Sequence, residues 1–425
     1  MPENKTIVIS FSEGNVIRNY FNQGLLDELQ GAGYMIVFFT PAATVPSFVE
    51  TYHQKDIEVI PLLHYTPSKW ELRAERLRKK TGRYSLTADR WLKAKEHWFY
   101  SDLEFYIQHL QRLKPSFLLF TNPMYRNEIQ LFMAAKRLGL KNAGLLRSWD
   151  NLHMGLKFFP DKLLVWNEVN AAEASSLMGY KKEDIEIIGP CQMDPYFKKE
   201  TLWTREAFCR HFQLDPTRTI LTLATIGRLV HGYDENYIVD QLVQMIRQKQ
   251  IPGNPQLIIR LHPVSRYEEF LQYQDLPFVR ISQVTGHIPT LGWTMSPEQV
   301  VEVANILKNS DVLISPGSTI TIEAAIFDTP TVFPVYHHYQ PSLGGYFYNA
   351  ILKMHHKRLK ELDLVPFVGQ QEDLLPAILR CLEEPEWYRE KRKQLTEDYV
   401  YLTDGLSTQR LVKVINENAA KYQKN

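Results

Sequence analysis

The chain opens on an unbroken apolar run, Thr6 to Ser10 (TIVIS), short and β-branched, which predicts a strand buried on both faces. A polar turn follows, Phe11-Ser12-Glu13-Gly14-Asn15. Amphipathic spacing from about Val16 to Gly31 then predicts one helix, and Tyr34 to Phe39 (YMIVFF) a second strand. Strand, helix and strand in that order predict a parallel βαβ unit. The pattern recurs, with strands predicted at Ile57 to Leu62, Ser116 to Phe120, Ala143 to Leu146 and Lys162 to Trp166. Helices are predicted over roughly Ser68 to Leu113 and over Asn127 to Leu138.

A second series starts after Gly189-Pro190. Thr219 to Ala224, Gln256 to Leu261, Phe278 to Ile281, Asp311 to Ser315 and Thr331 to Val335 read as strands. Asp234 to Lys249, Pro297 to Asn309 and Ile320 to Phe327 read as helices, and long helices fill the chain from Glu372 onward. Two blocks of alternation predict an α/β protein of two facing, Rossmann-like doubly wound domains. Gly189 to Trp203 is the expected linker. The expected division is residues 1–190, residues 204–395 and a terminal helical segment, 396–425. A chain of 425 residues is long enough for two cores.

Composition narrows the function classes. Lys plus Arg number 49 and Asp plus Glu 48, a net charge of +1, so no whole-molecule field draws the chain to nucleic acid or anionic lipid. Any anion site must be local. The three cysteines, Cys191, Cys209 and Cys381, have no metal-ligand spacing and suit a reducing compartment. No signal-peptide pattern opens the chain and no apolar run reaches the roughly 20 residues that span a bilayer. The expectation is a cytoplasmic protein that could still touch the inner membrane surface, for which the basic run Arg73 to Arg83 is one candidate and a solvated helix face the plainer reading. His337-His338 and His355-His356 resemble metal pairs, but adjacent side chains point apart, so no bound metal or other cofactor is expected. Walker A, G-x-G-x-x-G and G-x-S-x-G patterns are absent, which removes the usual support for kinase, dehydrogenase and hydrolase readings.

In parallel sheets ligands bind beyond the carboxyl ends of the strands, so the loops there are the candidate chemistry. Ser315-Pro316-Gly317-Ser318-Thr319 links a strand to a helix. Gly317 would let a ligand approach the backbone, Ser318 and Thr319 would cap the helix or donate hydroxyls to a phosphate, and Glu323 would accept from ribose hydroxyls. A plain N-cap with a solvated Glu is the simpler alternative. His262, in Arg260-Leu261-His262-Pro263, stands at another strand end and would bond a phosphate oxygen, unless it is a structural histidine. Arg228 follows Gly227 after the strand Thr219 to Ala224 and would neutralise diphosphate, with His231 nearby; an ordinary surface turn is as good an account. In the first half, Glu13 is placed to act as a general base, or only to meet a helix dipole. The dense run Arg147-Ser148-Trp149-Asp150-Asn151-Leu152-His153 reads as part of a cleft, with Asp150 and His153 as candidate catalytic groups.

Taken together, these residues resemble the GT-B superfamily of nucleotide-sugar transferases, and among them the CDP-glycerol glycerophosphotransferase-like and bacterial surface-polysaccharide glycosyltransferases. Ile314 to Phe333 is similar to that group's strand, Ser-rich loop, helix and return strand. RLHP, Arg260 to Pro263, resembles its His-Pro motif at the donor phosphate. Asp404-Gly405-Leu406-Ser407-Thr408-Gln409-Arg410 resembles its "DG-S-x-x-R" ending, and SWDN followed by VWNE is similar to the linker-proximal part. The resemblance implies His262 at the diphosphate, Ser318 and Thr319 at phosphate, Glu323 at ribose and a last helix returning to the first domain. Glu13 matches the acidic base position of related sialyltransferases, although Ser12 stands where they carry a second acid; His153 is the alternative base. The implied activity is metal-independent transfer of a sugar from a nucleotide sugar, cytidine or uridine favoured, to a glycan or lipid-linked acceptor. Glycerophosphate transfer, hexose 2-epimerisation and a non-catalytic binding module are the alternatives. No nucleic-acid partner is implied.

Overall fold

The structure, a computed structural model, describes residues 5–67, 69, 73, 102–150, 152, 155–227, 235–336 and 356–422. Seven parallel strands make the first sheet, in the order β3-β2-β1-β4-β5-β6-β7. They are β1 Thr6–Ser10, β2 Met35–Thr40, β3 Ile57–Pro61, β4 Phe117–Phe120, β5 Asn142–Leu145, β6 Lys162–Val165 and β7 Ile185–Ile187. The second sheet is also parallel, ordered β10-β9-β8-β13-β14-β15. Its strands are β8 Ile220–Ala224, β9 Gln256–Arg260, β10 Val279–Ser282, β13 Val312–Ile314, β14 Thr331–Pro334 and β15 Phe367–Val368. A separate antiparallel hairpin pairs β11 Gly286–Ile288 with β12 Gly292–Thr294.

Strand order reverses its progression beside β1 in one sheet and beside β8 in the other. Those switch points open crevices at the strands' carboxyl ends. The central strands are wholly buried because helices cover both faces, which is why they read as continuous apolar runs.

The expected helix from Val16 to Gly31 is in fact broken. A five-residue helix, α1 Asn15–Asn19, is followed by a tight turn at Phe21–Gln23 and a second helix, Leu25–Gly31. Gly24 sits at φ 92 between them, a left-handed position that ends one turn and starts the next. Strand β7 and the β11–β12 hairpin have no strand signal long enough to be seen in the sequence. From the long basic stretch, the helix Leu103–Leu113 is described, with Tyr106 and Leu110 fully buried; residues 74–101 are outside the described set.

The final helix, α2 Ser407–Tyr422, buries Leu411, Val412, Val414, Ile415 and Ala419 in the same cluster as Ile7, Ile9 and Phe11 of the first sheet. The chain thus returns to where it began. An interlock fixes that return: Asp194 in the linker accepts hydrogen bonds from the amides of Ser407 (2.9 Å) and Thr408 (2.8 Å), so a carboxylate meets the amino end of α2. Arg410 donates to the Ile188 carbonyl and to both oxygens of Asp404. Gly189 and Gly405 leave room for these contacts; a Cβ on Gly189 would stand 2.5 Å from Ser407 Oγ.

Candidate active site

The two crevices face each other and enclose one cavity of about 410 Å³, within the usual range for small-molecule sites. One wall comes from loops of the second sheet. His262 follows β9, and its backbone N–H donates to Thr225 Oγ1 at 2.7 Å. Val264 N–H donates to His262 Nδ1 at 3.3 Å, which places the ring proton on Nε2 and makes that edge a donor. Ser318 and Thr319 also line the cavity, as does Glu323 from the short helix α3 Ile320–Ile326. Glu323 is buried, and the Tyr196 hydroxyl donates to its Oε2 at 2.5 Å. Burial, and then the Glu323 charge, push the Tyr196 phenol well up, so it stays a donor.

Beneath them lies Arg260, the last residue of β9, almost wholly buried yet on the cavity wall. Its guanidinium reaches Ser282 Oγ (2.6 Å) and Glu302 Oε1 (3.5 Å). Burial lowers its pKa while Glu302 works against that shift, so it is a cation with little water around it.

The opposite wall comes from the first sheet and the linker. α1 contributes Asn15, Arg18 and Asn19, the loop after β5 contributes Arg147 and Ser148, and the linker contributes Gln192. Arg18 lies 5.2 Å over the Trp293 ring, and its Nε donates to Asn19 Oδ1 at 2.7 Å. Desolvation lowers its pKa, with Glu323 across the cavity opposing. The β11–β12 hairpin closes this side as a strap. Gly14 N–H donates to the Leu291 carbonyl (2.8 Å), Asn22 to the Met295 carbonyl (2.7 Å), and Leu291 is buried in the first domain's core. A Cβ on Gly14 would lie 2.4 Å from the Trp293 carbonyl oxygen, so only glycine lets the strap pass.

The candidates from sequence divide accordingly. His262, Ser318, Thr319 and Glu323 are brought together on one wall. Ser315 is not among them: it is fully buried, with Thr321 Oγ1 donating to its hydroxyl. Gly317 has φ 118, but its missing side chain makes room for the Phe333 ring, 3.0 Å from a notional Cβ, and not for a ligand. The expected capping by Thr319 is also absent, because that residue already has helical dihedrals and makes no side-chain cap bond. The amides of Thr321, Ile322 and Glu323 bond to the Ser318 and Thr319 carbonyls. In a helix of seven residues this leaves the hydroxyls, and not the helix terminus, to meet an anion.

Gly227 is a packing glycine too. A Cβ there would stand 2.7 Å from Val264, and Glu235 takes the amides of Ile226 and Gly227. Arg228, His231, His153, Asn151, His337, His338 and His355 lie outside the described residues. Trp149 is a core residue, packed edge-on against Tyr399 and His356. Asp150 is off the cavity wall, where its charge adds to the burial that raises the Glu173 carboxyl. Glu13 stands just behind the wall: Arg147 Nε is 3.2 Å from its Oε2, and Asn122 Nδ2 donates to the same oxygen at 3.1 Å. Among the described residues no group of three or more His, Cys, Asp or Glu could hold a metal, and no helix is long and apolar enough to cross a membrane.

The sequence model for CDP-Glycerol:Poly(glycerophosphate) glycerophosphotransferase matches residues 160–417, more than half of the chain. The chain belongs to that family. Within it, the ending Asp404 to Arg410 acquires a physical meaning, since it is the interlock that fastens the linker and α2 to the first domain. No curated protein matches. Among solved structures, the fold is shared with the wall teichoic acid polymerase TagF soaked with CDPG, at 14% identity over 100% of this chain and 90% of that one, TM-score 0.56. It is shared equally with a UDP-GlcNAc 2-epimerase from Neisseria meningitidis bound to UDP-GlcNAc, at 12% identity over 98% and 100%, TM-score 0.58. The calicheamicin glycosyltransferase CalG4 gives 13% identity over 98% and 99%, TM-score 0.54. These likenesses establish a GT-B fold of two facing parallel-sheet domains. The glycerophosphotransferase family assignment rests on the sequence match.

Proposed function

We propose that the chain transfers a polyol phosphate unit from a cytidine-diphosphate-activated donor to a hydroxyl of a cell-surface polymer precursor. The observation that carries this reading is the single cavity in which Arg18, Arg147, Arg260, His262 and two hydroxyls meet one buried carboxylate, Glu323. Cations and N–H or O–H donors suit a diphosphate, and a carboxyl acceptor beside Tyr196 suits ribose hydroxyls. Family membership and the CDPG-soaked TagF neighbour support the cytidine donor and favour polyol phosphate over the sugar transfer suggested by the resemblance.

In this reading the acceptor oxygen attacks the distal phosphorus, the new O–P bond forms, and the bond to the bridging oxygen breaks. The bridging electrons leave with cytidine monophosphate, whose charge falls on His262, Ser318 and Thr319. The protein's own cations match the phosphate charge. The acceptor proton passes to a base, for which Glu13 and His153 are the candidates. The Arg147 contact makes Glu13 at least a positioning residue for that guanidinium. An epimerase reading has less support, since Glu323 is the one carboxylate among the described lining residues and that chemistry needs several acids.

Thermal stabilisation against CDP-, CMP-, UDP-, GDP- and dTDP-linked compounds tests the donor. CDP-glycerol should raise the melting temperature most, and CMP should be released only when a hydroxyl acceptor is added, with or without EDTA. Stabilisation by none of the panel, or turnover of a UDP-sugar with no acceptor, would sink the proposal.

A further inference from the structure

Three amide side chains crowd one side of the cavity. Asn15 and Asn19 come from α1 and Gln192 from the linker, and all three are more than nine-tenths buried while lining the space. Asn19 is oriented by the Arg18 guanidinium, 2.7 Å from its Oδ1. Gln192 Oε1 has no hydrogen-bond partner among the described residues. A buried amide acceptor left unmade costs free energy, and native structures seldom keep one without a reason. Gln192 is also held firmly: two residues on, Asp194 is clamped by the amides of Ser407 and Thr408, and four on, Tyr196 bonds Glu323. Its stretch of backbone is thus held by the interlock that joins the domains.

Amides differ from the opposite wall in what they can recognise. Arg, His, Ser and Thr on that wall supply N–H and O–H donors for phosphate, whereas an amide both donates and accepts, as a neutral hydroxyl does. We propose that Asn15, Asn19 and Gln192 form a hydroxyl-reading subsite for the polyol end of the donor, with Gln192 Oε1 accepting from a polyol hydroxyl. The wall from the second sheet holds the diphosphate, and the amides select what is attached to it. This rests on the functional reading above and deepens it.

The test compares CDP-glycerol with CDP-ethanolamine and CDP, which share the nucleotide diphosphate and lack the diol. Wild-type protein should bind CDP-glycerol more tightly than either. In Gln192→Met, similar in size but without the amide, that preference should fall by roughly 5- to 100-fold, the cost of one lost buried hydrogen bond, while CDP affinity stays the same. Asn15→Ala, on the other element, should show the same selective loss and decides the matter if Gln192→Met does not fold. A preference unchanged in the folded variants, or CDP and CDP-glycerol weakened equally, overturns the subsite while leaving the donor reading intact. A wild-type protein that binds no cytidine nucleotide overturns the donor reading, and the subsite with it.

Discussion

The two walls of the cleft are built by different means. The wall carrying His262, Ser318, Thr319 and Glu323 comes from loops that follow β9 and β13, the two strands that flank β8 in one sheet. A strand end fixes where such a loop points, so each residue is placed by its own local sequence. The facing wall depends on contacts made far along the chain. Arg18 is aimed by Trp293 and Met295, some 275 positions away, and the linker that carries Gln192 is fastened through Asp194 to the amino end of α2. The family's sequence model covers the first wall and stops short of Asn15, Arg18 and Arg147. One wall is local and belongs to the matched region; the other is assembled by tertiary contacts and lies mostly outside it. That division suits a transferase that keeps its donor grip constant and sets its other specificities from the first domain.

Removing a donor from each wall puts the division at risk most directly. His262→Ala should lower kcat by about 100- to 1000-fold, as loss of one preorganised donor to a developing anion does elsewhere. Arg18→Ala should cost a comparable factor if Arg18 faces the same phosphate from across the cleft. Steady-state kinetics at saturating donor, with circular dichroism to confirm folding, separates the cases. Should Arg18→Ala stay within about threefold of wild type, the first-domain wall is scaffold only, and the comparison fails.

Legibility followed the same line. Strand β1 was readable to the residue because TIVIS is apolar throughout and ends in a polar turn, and the helix Pro297–Asn309 because Ser296 and Gln299 form a capping box around Pro297. Four residues of the second-sheet wall could be named as cavity-lining from strand-end position. Ser315 and Gly317 could not be sorted from their neighbours, since the pattern marks a turn without saying which residues face inward. Arg18 and Asn15 carried no signal at all: Arg18 sits in what reads as an ordinary amphipathic helix and Asn15 ends the polar turn before it, and only the break at Gly24 and the strap over Gly14 turn that segment into a wall. The strap's strands are three residues each, too short for any period to show.

Gly14→Ala probes how the walls are joined. Its backbone, φ −68, suits alanine, so any effect comes from the new methyl group meeting the Trp293 carbonyl. Overpacking of this kind costs about 1–3 kcal/mol, and here it should be relieved by the strap lifting. The variant should show a lower melting temperature, a larger radius of gyration by small-angle scattering and a raised KM for donor. Wild-type scattering and KM together would mean that the strap does not set the distance between the walls.

The effect expected on stability alone concerns the support under the first-domain wall. Glu128 is buried behind Glu13, with Thr121 N–H (3.1 Å) and Thr121 Oγ1 (3.2 Å) donating to its carboxyl group. Burial, opposed by the Thr121 bonds and aided by the Glu13 charge, pushes its pKa up to about 8. The folded protein therefore holds a proton here that the unfolded chain has lost above its ordinary carboxyl pKa. Wherever the folded state binds more protons, stability falls as pH rises, so the protonated Glu128 stabilises fully at low pH and progressively less until pH passes about 8. Within that window the slope is at most about 1.4 kcal/mol per pH unit. Glu128→Gln keeps the shape and removes the titration, so its stability relative to wild type should climb between pH 5 and 8 and level off beyond. A relative stability that is flat across this range would show Glu128 ionised in the folded state, and Glu13 would then stand beside a second negative charge. Two facing carboxylates there would compete for Arg147, and the ion pair that now orients this part of the first-domain wall would weaken.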